Sequence, residues 1–150
     1  MGASHEDCSV FVFDFDGVLA ASTEGGRIVA REAGISALRE ALGVGTVYVL
    51  SGRVSQEKWI IKALLSQEGL YRGVKVVTRR PGDKRSEVDY KLSELLRILE
   101  VEGCIGEIHD NNPYVLEAAR RHVLRGGILH YDNTCEPLYG FTVLEACRAF

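Results

Sequence analysis

Five short runs rich in β-branched and aromatic residues alternate along this chain with segments of helical periodicity, and few folds accommodate that alternation. The runs are Ser9 to Asp14, Thr46 to Leu50, Val74 to Thr78, Cys104 to His109 and Gly127 to Tyr131. Most are continuously apolar, as strands covered on both faces must be. The pattern predicts an α/β fold, a Rossmann-like three-layer sandwich around a five-stranded, mostly parallel sheet. Between the runs, Ile28, Ile35, Leu38 and Leu42 mark one helical stripe, with Gly34 its weak point. Trp59, Ile60, Ala63 and Leu64 mark a second, and Leu92, Leu95, Leu96 and Leu99 a third. A fourth helix has the clearest start: Asn112 can cap it, and Pro113 suits a first position that needs no amide hydrogen. Gly126 and Gly127 stop that helix, and Thr142 to Cys147 reads as a short terminal one.

With 150 residues and 46% hydrophobic content, one core and a single domain over 1–150 are expected. A net charge of −3 excludes a generally basic surface, so any nucleic-acid contact has to be local. No apolar run approaches the roughly 18–20 residues that cross a bilayer, so no membrane partner is expected. Met1 to Asp7 lacks the pattern of a secretory signal, and a cytoplasmic location is the default expectation. Cys8, Cys104, Cys135 and Cys147 form no CxxC pair and read first as buried thiols. A disulfide would be expected inside a cell chiefly in a hyperthermophile.

In parallel sheets, functional groups gather outside the carboxyl ends of the strands, where the chain order reverses. Asp14, Ser51 and Asp110 all stand at or just after such ends, so the fold would bring them to one edge. The segment Phe11-Val-Phe-Asp-Phe-Asp-Gly-Val-Leu19 adds a second carboxylate, Asp16. Close carboxylates repel unless a cation neutralises them, and a hard, oxygen-preferring ion such as Mg²⁺ is the usual one.

That segment resembles the first motif of the haloacid dehalogenase (HAD) superfamily, a hydrophobic strand followed by Asp, any residue, Asp, Gly. Val47-Tyr-Val-Leu-Ser51-Gly-Arg resembles the second motif, Lys91 opening a helix the third, and Ile108-His-Asp110 the fourth. The resemblance implies a Mg²⁺-dependent phosphatase in which Asp14 attacks phosphorus and is transiently phosphorylated. Asp16 would protonate the leaving oxygen and then activate water. Ser51 and Lys91 would stabilise the phosphoryl group, while Asp14, the carbonyl of Asp16, and Asp110 would hold the metal. Many members carry a second acid after the fourth-motif aspartate. Here Asn111 and Asn112 follow it, so altered metal use is expected, with the Asn111 amide oxygen as a substitute ligand. His109 reads as a strand residue.

The intervals between the motifs leave no room for an inserted cap. Within the superfamily the chain is similar to the 3′-phosphatase domain of phage-type polynucleotide kinases. The similarity rests on Ser51-Gly52-Arg53 and on Gly82-Asp-Lys-Arg85-Ser-Glu-Val-Asp-Tyr-Lys91. It implies a phosphorylated nucleic-acid end as substrate, with Gly52, Arg53, Lys84 and Arg85 binding it and Arg79 and Arg80 extending a local basic patch. Tyr71, Tyr90 and Tyr114 are candidates for stacking on bases. Two other readings stay open: a phosphatase of small sugar or nucleotide metabolites whose lids come from oligomerisation, and a non-catalytic module. A monomer and a homo-oligomer are equally compatible with the sequence.

Overall fold

The computed structural model describes residues 8–122 and, for the backbone alone, 128–130. The sheet contains β1 (Val10–Phe13), β4 (Thr46–Val54), β5 (Val74–Arg79), β6 (Glu107–Asp110) and β7 (Ile128–His130), in the order β5-β4-β1-β6-β7. Every pairing in it is parallel. The first strand is central, and the chain order reverses beside it. A two-stranded antiparallel hairpin, β2 (Ala20–Ser22) and β3 (Ile28–Ala30), follows β1.

Alternation along the strands sorts the core into two layers. Phe13, Val47 and Val49 face α1 (Glu32–Leu42) and α2 (Lys58–Gln67), meeting Ile35, Leu38, Ile61 and Leu65. Val10, Val12, Tyr48 and Leu50 face the opposite side, where α3 (Glu87–Glu102) and α4 (Pro113–His122) supply Leu95, Ile98 and Leu116. The result is a three-layer α/β sandwich.

The helix ends follow local chemistry. Ser86 Oγ accepts from the Asp89 amide and starts α3, which Gly103 closes at φ +85°. Asn112 Oδ1 accepts from the Tyr114 amide at 2.9 Å and starts α4, as its position before Pro113 predicts. The expected stop at Gly126 and Gly127 and the terminal helix at Thr142 to Cys147 lie outside the described residues.

Several sequence readings need correction. Ile28 belongs to β3 and not to the stripe of α1, because the Thr23–Arg27 turn reverses the chain before that helix begins. The second stripe is rotated: α2 buries Ile61, Leu64 and Leu65, while Trp59 is 67% exposed and Ala63 also faces out. Cys8 and Cys104 are not thiols but a disulfide joining the segments that lead into β1 and β6. Beside it β6 begins at Glu107, later than expected, and Gly106 packs against the Cys8 carbonyl, where a Cβ would clash. Cys135 and Cys147 lie outside the described residues. No helix among the described residues is long and apolar enough to cross a membrane.

Candidate active site

The reversal of chain order places Asp14, just past β1, between β4 and β6. Its amide donates to the His109 carbonyl of β6, and its Oδ1 accepts from the Phe15 amide at 2.8 Å, which fixes the carboxylate against its own backbone. Ser51 is fully buried in β4, at an irregularity in the pairing with β5 between Leu50 and Val54. Asp110 ends β6. The three groups do converge on one edge of the sheet.

Lys91 joins two of them. Its side chain is completely buried, and Nζ lies 2.9 Å from Asp14 Oδ1, 2.8 Å from Asp110 Oδ2 and 3.1 Å from Glu87 Oε1. Burial alone would lower the lysine, but the three carboxylates hold it well above its ordinary value and keep it a cation. Burial and the neighbouring charge of Asp110 push Asp14 above the usual carboxylate range, against the pull of Lys91. Glu87 is half-exposed. Partial burial pushes it up, yet Lys91 and the Asn112 amide together hold it below the ordinary glutamate value.

Asp16 points toward solvent and is gripped in two places by Arg53: Nε donates to Oδ2 at 2.8 Å and Nη2 to Oδ1 at 2.9 Å. Glu57 holds the remaining arm of the guanidinium at 3.0 Å. Ser51 Oγ accepts from the Arg53 amide at 3.0 Å, which leaves its hydroxyl proton free to donate elsewhere. Gly17, at φ +86°, lets the chain turn away after Asp16. Gly34 serves the same corner from α1: a Cβ there would lie 2.6 Å from the Val18 carbonyl carbon, so the residue that weakens the helix is also the one that lets it sit against this loop.

The groups frame an open pocket of ≈ 680 Å³ whose walls include Asp14, Asp16, Arg53, Glu87, Asn111 and Tyr114. Gly52 also lines it, whereas Ser51, Lys91 and Asp110 are buried and do not. Lys84 and Arg85 do not line it either. Arg85 is turned back in a two-point ion pair with Asp83, over the Tyr90 ring, and Arg79 is bonded to the Asp83 and Arg85 carbonyls. Lys84 and Arg80 are exposed on the same loop. Tyr90 is buried in the core, so it presents no face to a base, while Tyr114 is 74% exposed at the pocket wall. His109 is buried, stacked on Phe13 and bonded to Glu107, as a strand residue should be.

Asp14, Glu87 and Asp110 each offer an oxygen within 4.8 Å of the others, a set able to hold a metal ion. The Lys91 ammonium stands among them. On the other side of Asp14, the Asn111 carboxamide lies over Asp14 Oδ2 and the Asp16 carbonyl. With its nitrogen turned inward it donates to them at 2.9 and 3.3 Å. Asp14, the Asp16 carbonyl and Asp110 offer oxygens, and Asn111 adds one when its carboxamide oxygen is turned inward, the all-oxygen chemistry that Mg²⁺ selects, so these residues fit such an ion.

The fold that carries these groups has structural counterparts. It matches the HAD domain of the effector protein Lem4 from Legionella pneumophila, with TM-score 0.60 and 13% identity over 82% of this chain and 84% of that one. The fold is HAD-like. The HAD-like fold is also similar to a chain of the Pnkp1/Rnl/Hen1 RNA repair complex (TM-score 0.70, 19% identity, 83% of this chain and 43% of that one). A second structure of the Pnkp1/Rnl/Hen1 complex gives TM-score 0.68 at 17% identity, covering 83% and 46%. This chain therefore spans less than half the length of those two. No family model and no curated protein matches the sequence.

Sequence reasoning passed over Glu87 and Glu57, and it gave Asn112 a capping role without its bond to Glu87. A signal existed for Glu87, which precedes Lys91 by four residues, the spacing at which opposite charges meet on a helix; Arg53 lies in a strand, so no such spacing announces Glu57.

Proposed function

We infer that this protein is a Mg²⁺-dependent phosphomonoesterase that works through a phosphorylated Asp14 and acts on phosphorylated nucleic-acid ends. The observation that carries this reading is the fixing of Asp14 between the Lys91 ammonium and the Asn111 corner, facing an open pocket. A carboxylate held on one oxygen by its own backbone and a buried cation is aligned for in-line attack, and such pre-orientation supplies much of phosphoryl-transfer catalysis.

Lys91, shared by Asp14 and Asp110, offsets the charge that builds on the phosphoryl oxygens. Ser51 donates its free hydroxyl proton to one of those oxygens. The guanidinium of Arg53 exchanges its grip on Asp16 for the incoming phosphate, since the fork matches both. Asp16, so released, takes up a proton from solvent, gives it to the leaving oxygen, and as the carboxylate left behind then takes a proton from the attacking water. Mg²⁺ bound at the Asp14, Asp16, Asp110 and Asn111 corner would draw negative charge away from the phosphoryl group.

Two observations favour a polymer end over a small metabolite. The described residues contain no second domain over the pocket, and the insertion after β1 is a short hairpin, so the site is read as capless and open to a large substrate. The structural neighbours include chains of an RNA repair complex. Phosphate release from 3′-phosphorylated oligonucleotides, sugar phosphates and nucleoside monophosphates, each with Mg²⁺, tests the reading. Oligonucleotides should be the best substrates, and Asp14→Asn should be folded and silent on all of them. Turnover by Asp14→Asn at the normal rate would refute the mechanism, and a preference for sugar phosphates would refute the substrate.

A further inference from the structure

Asn111 stands where many relatives of this fold, by the resemblance above, carry an acid, and its surroundings give the amide a task that an acid could not perform. Its carboxamide has two orientations related by a half-turn that exchange nitrogen and oxygen at nearly the same points. With nitrogen inward, two hydrogen bonds form, to Asp14 Oδ2 and to the Asp16 carbonyl. With oxygen inward, three oxygens converge with separations of 2.9 and 3.3 Å and no hydrogen between them. That arrangement repels unless a cation occupies it. Neighbouring oxygens around an octahedral Mg²⁺, at its usual bond length, lie about 2.9 Å apart, so the same spacing suits either occupant.

The space for the carboxamide is kept open by Gly17, where a Cβ would approach to 2.6 Å of Asn111 Cγ. Asn111 itself is an exposed residue.

We propose that Asn111 is a two-position metal ligand, whose amide nitrogen satisfies Asp14 and the Asp16 carbonyl in the metal-free protein and whose oxygen turns inward to coordinate Mg²⁺. This rests on reading the corner as a Mg²⁺ site. The protein thereby keeps its nucleophile aligned without metal, at the expense of affinity: the ion must first displace two hydrogen bonds, and it gains a neutral ligand in place of a charged one. An aspartate at 111 reverses both effects. It repels Asp14 when metal is absent and binds more tightly when it is present.

The test is the Asn111 side-chain amide signal in ¹⁵N-labelled protein, identified by its loss in Asn111→Asp, during a Mg²⁺ titration whose saturation is followed separately by calorimetry. In metal-free protein the signal should be protected from solvent exchange; at saturation it should shift and lose protection. Asn111→Asp should bind Mg²⁺ about tenfold more tightly and melt lower than wild type when metal-free, whereas Asn111→Ala should lose about 10- to 100-fold in Mg²⁺ affinity. A purely structural asparagine would lower the melting point in both variants and leave affinity unchanged. An amide signal unmoved at saturation, an aspartate variant without tighter binding, or no Mg²⁺ binding at all would overturn the proposal. Mg²⁺ binding with the amide shift, but no phosphate release from any ester, would support it and refute the phosphatase reading alone.

Discussion

Lys91 brings a full positive charge into the buried interior, and its three partners are arranged so that removing it leaves negative charges facing one another. Asp14 and Asp110 would be buried and uncompensated, with Glu87 beside them. Truncating one side of a buried ionic cluster costs about 3–5 kcal/mol, a large part of the stability of a domain of this size. Lys91→Met should therefore lower the urea-unfolding free energy by about that amount as well as abolish phosphate release. A change below about 1 kcal/mol would mean that the carboxylates do not depend on the lysine. Lys91 was legible in the sequence through its place after the second motif and before the fourth. Its caging was not, because Glu87 in a first helical turn already has an ordinary explanation in the helix dipole. The grip of Arg53 on Asp16 was equally hidden, since it joins residues far apart in the chain.

At the scale of elements, the strands were readable because β-branched runs buried on both faces leave few alternatives, and the Asp14 and Asp110 motifs sit at their ends. The hairpin of β2 and β3 was not. Ala20, Ala21 and Ser22 have little strand preference, and Ile28 falls in phase with the apolar residues of α1. Trp59 misled for a different reason: it shares a helix with Ile61, Leu64 and Leu65 but lies on the opposite side. Gly34 shows how packing overrides local preference. Alanine is the better helix former by about 1 kcal/mol, yet its Cβ would strike the Val18 backbone, and overpacking of that kind costs about 1–3 kcal/mol. Gly34→Ala should be a net destabilising change in chemical denaturation, and it should disturb the loop that follows Asp16. A stabilised variant would show that α1 can move away from the loop freely.

For the whole molecule, the disulfide between Cys8 and Cys104 closes a loop with a sequence separation of 96, long enough that the chain-entropy argument assigns it about 4–5 kcal/mol. Reduction should lower the melting temperature, and Cys8→Ser combined with Cys104→Ser should match the reduced protein and ignore reductant. An unchanged midpoint on reduction would show that the bond adds nothing the sheet does not already supply. Such a bond also sits awkwardly with the cytoplasmic expectation, because reducing compartments rarely preserve one. The position of β1 has a further effect. Its backbone is bonded to strands on both sides, so the amides of Val10–Phe13 reach solvent only when the sheet itself comes apart. The β2 and β3 hairpin, held by three paired positions, can open and close far below that threshold. Fast local breathing beside the nucleophile and slow exchange beneath it can thus coexist, and the aspartate keeps its aim for the lifetime of the native state.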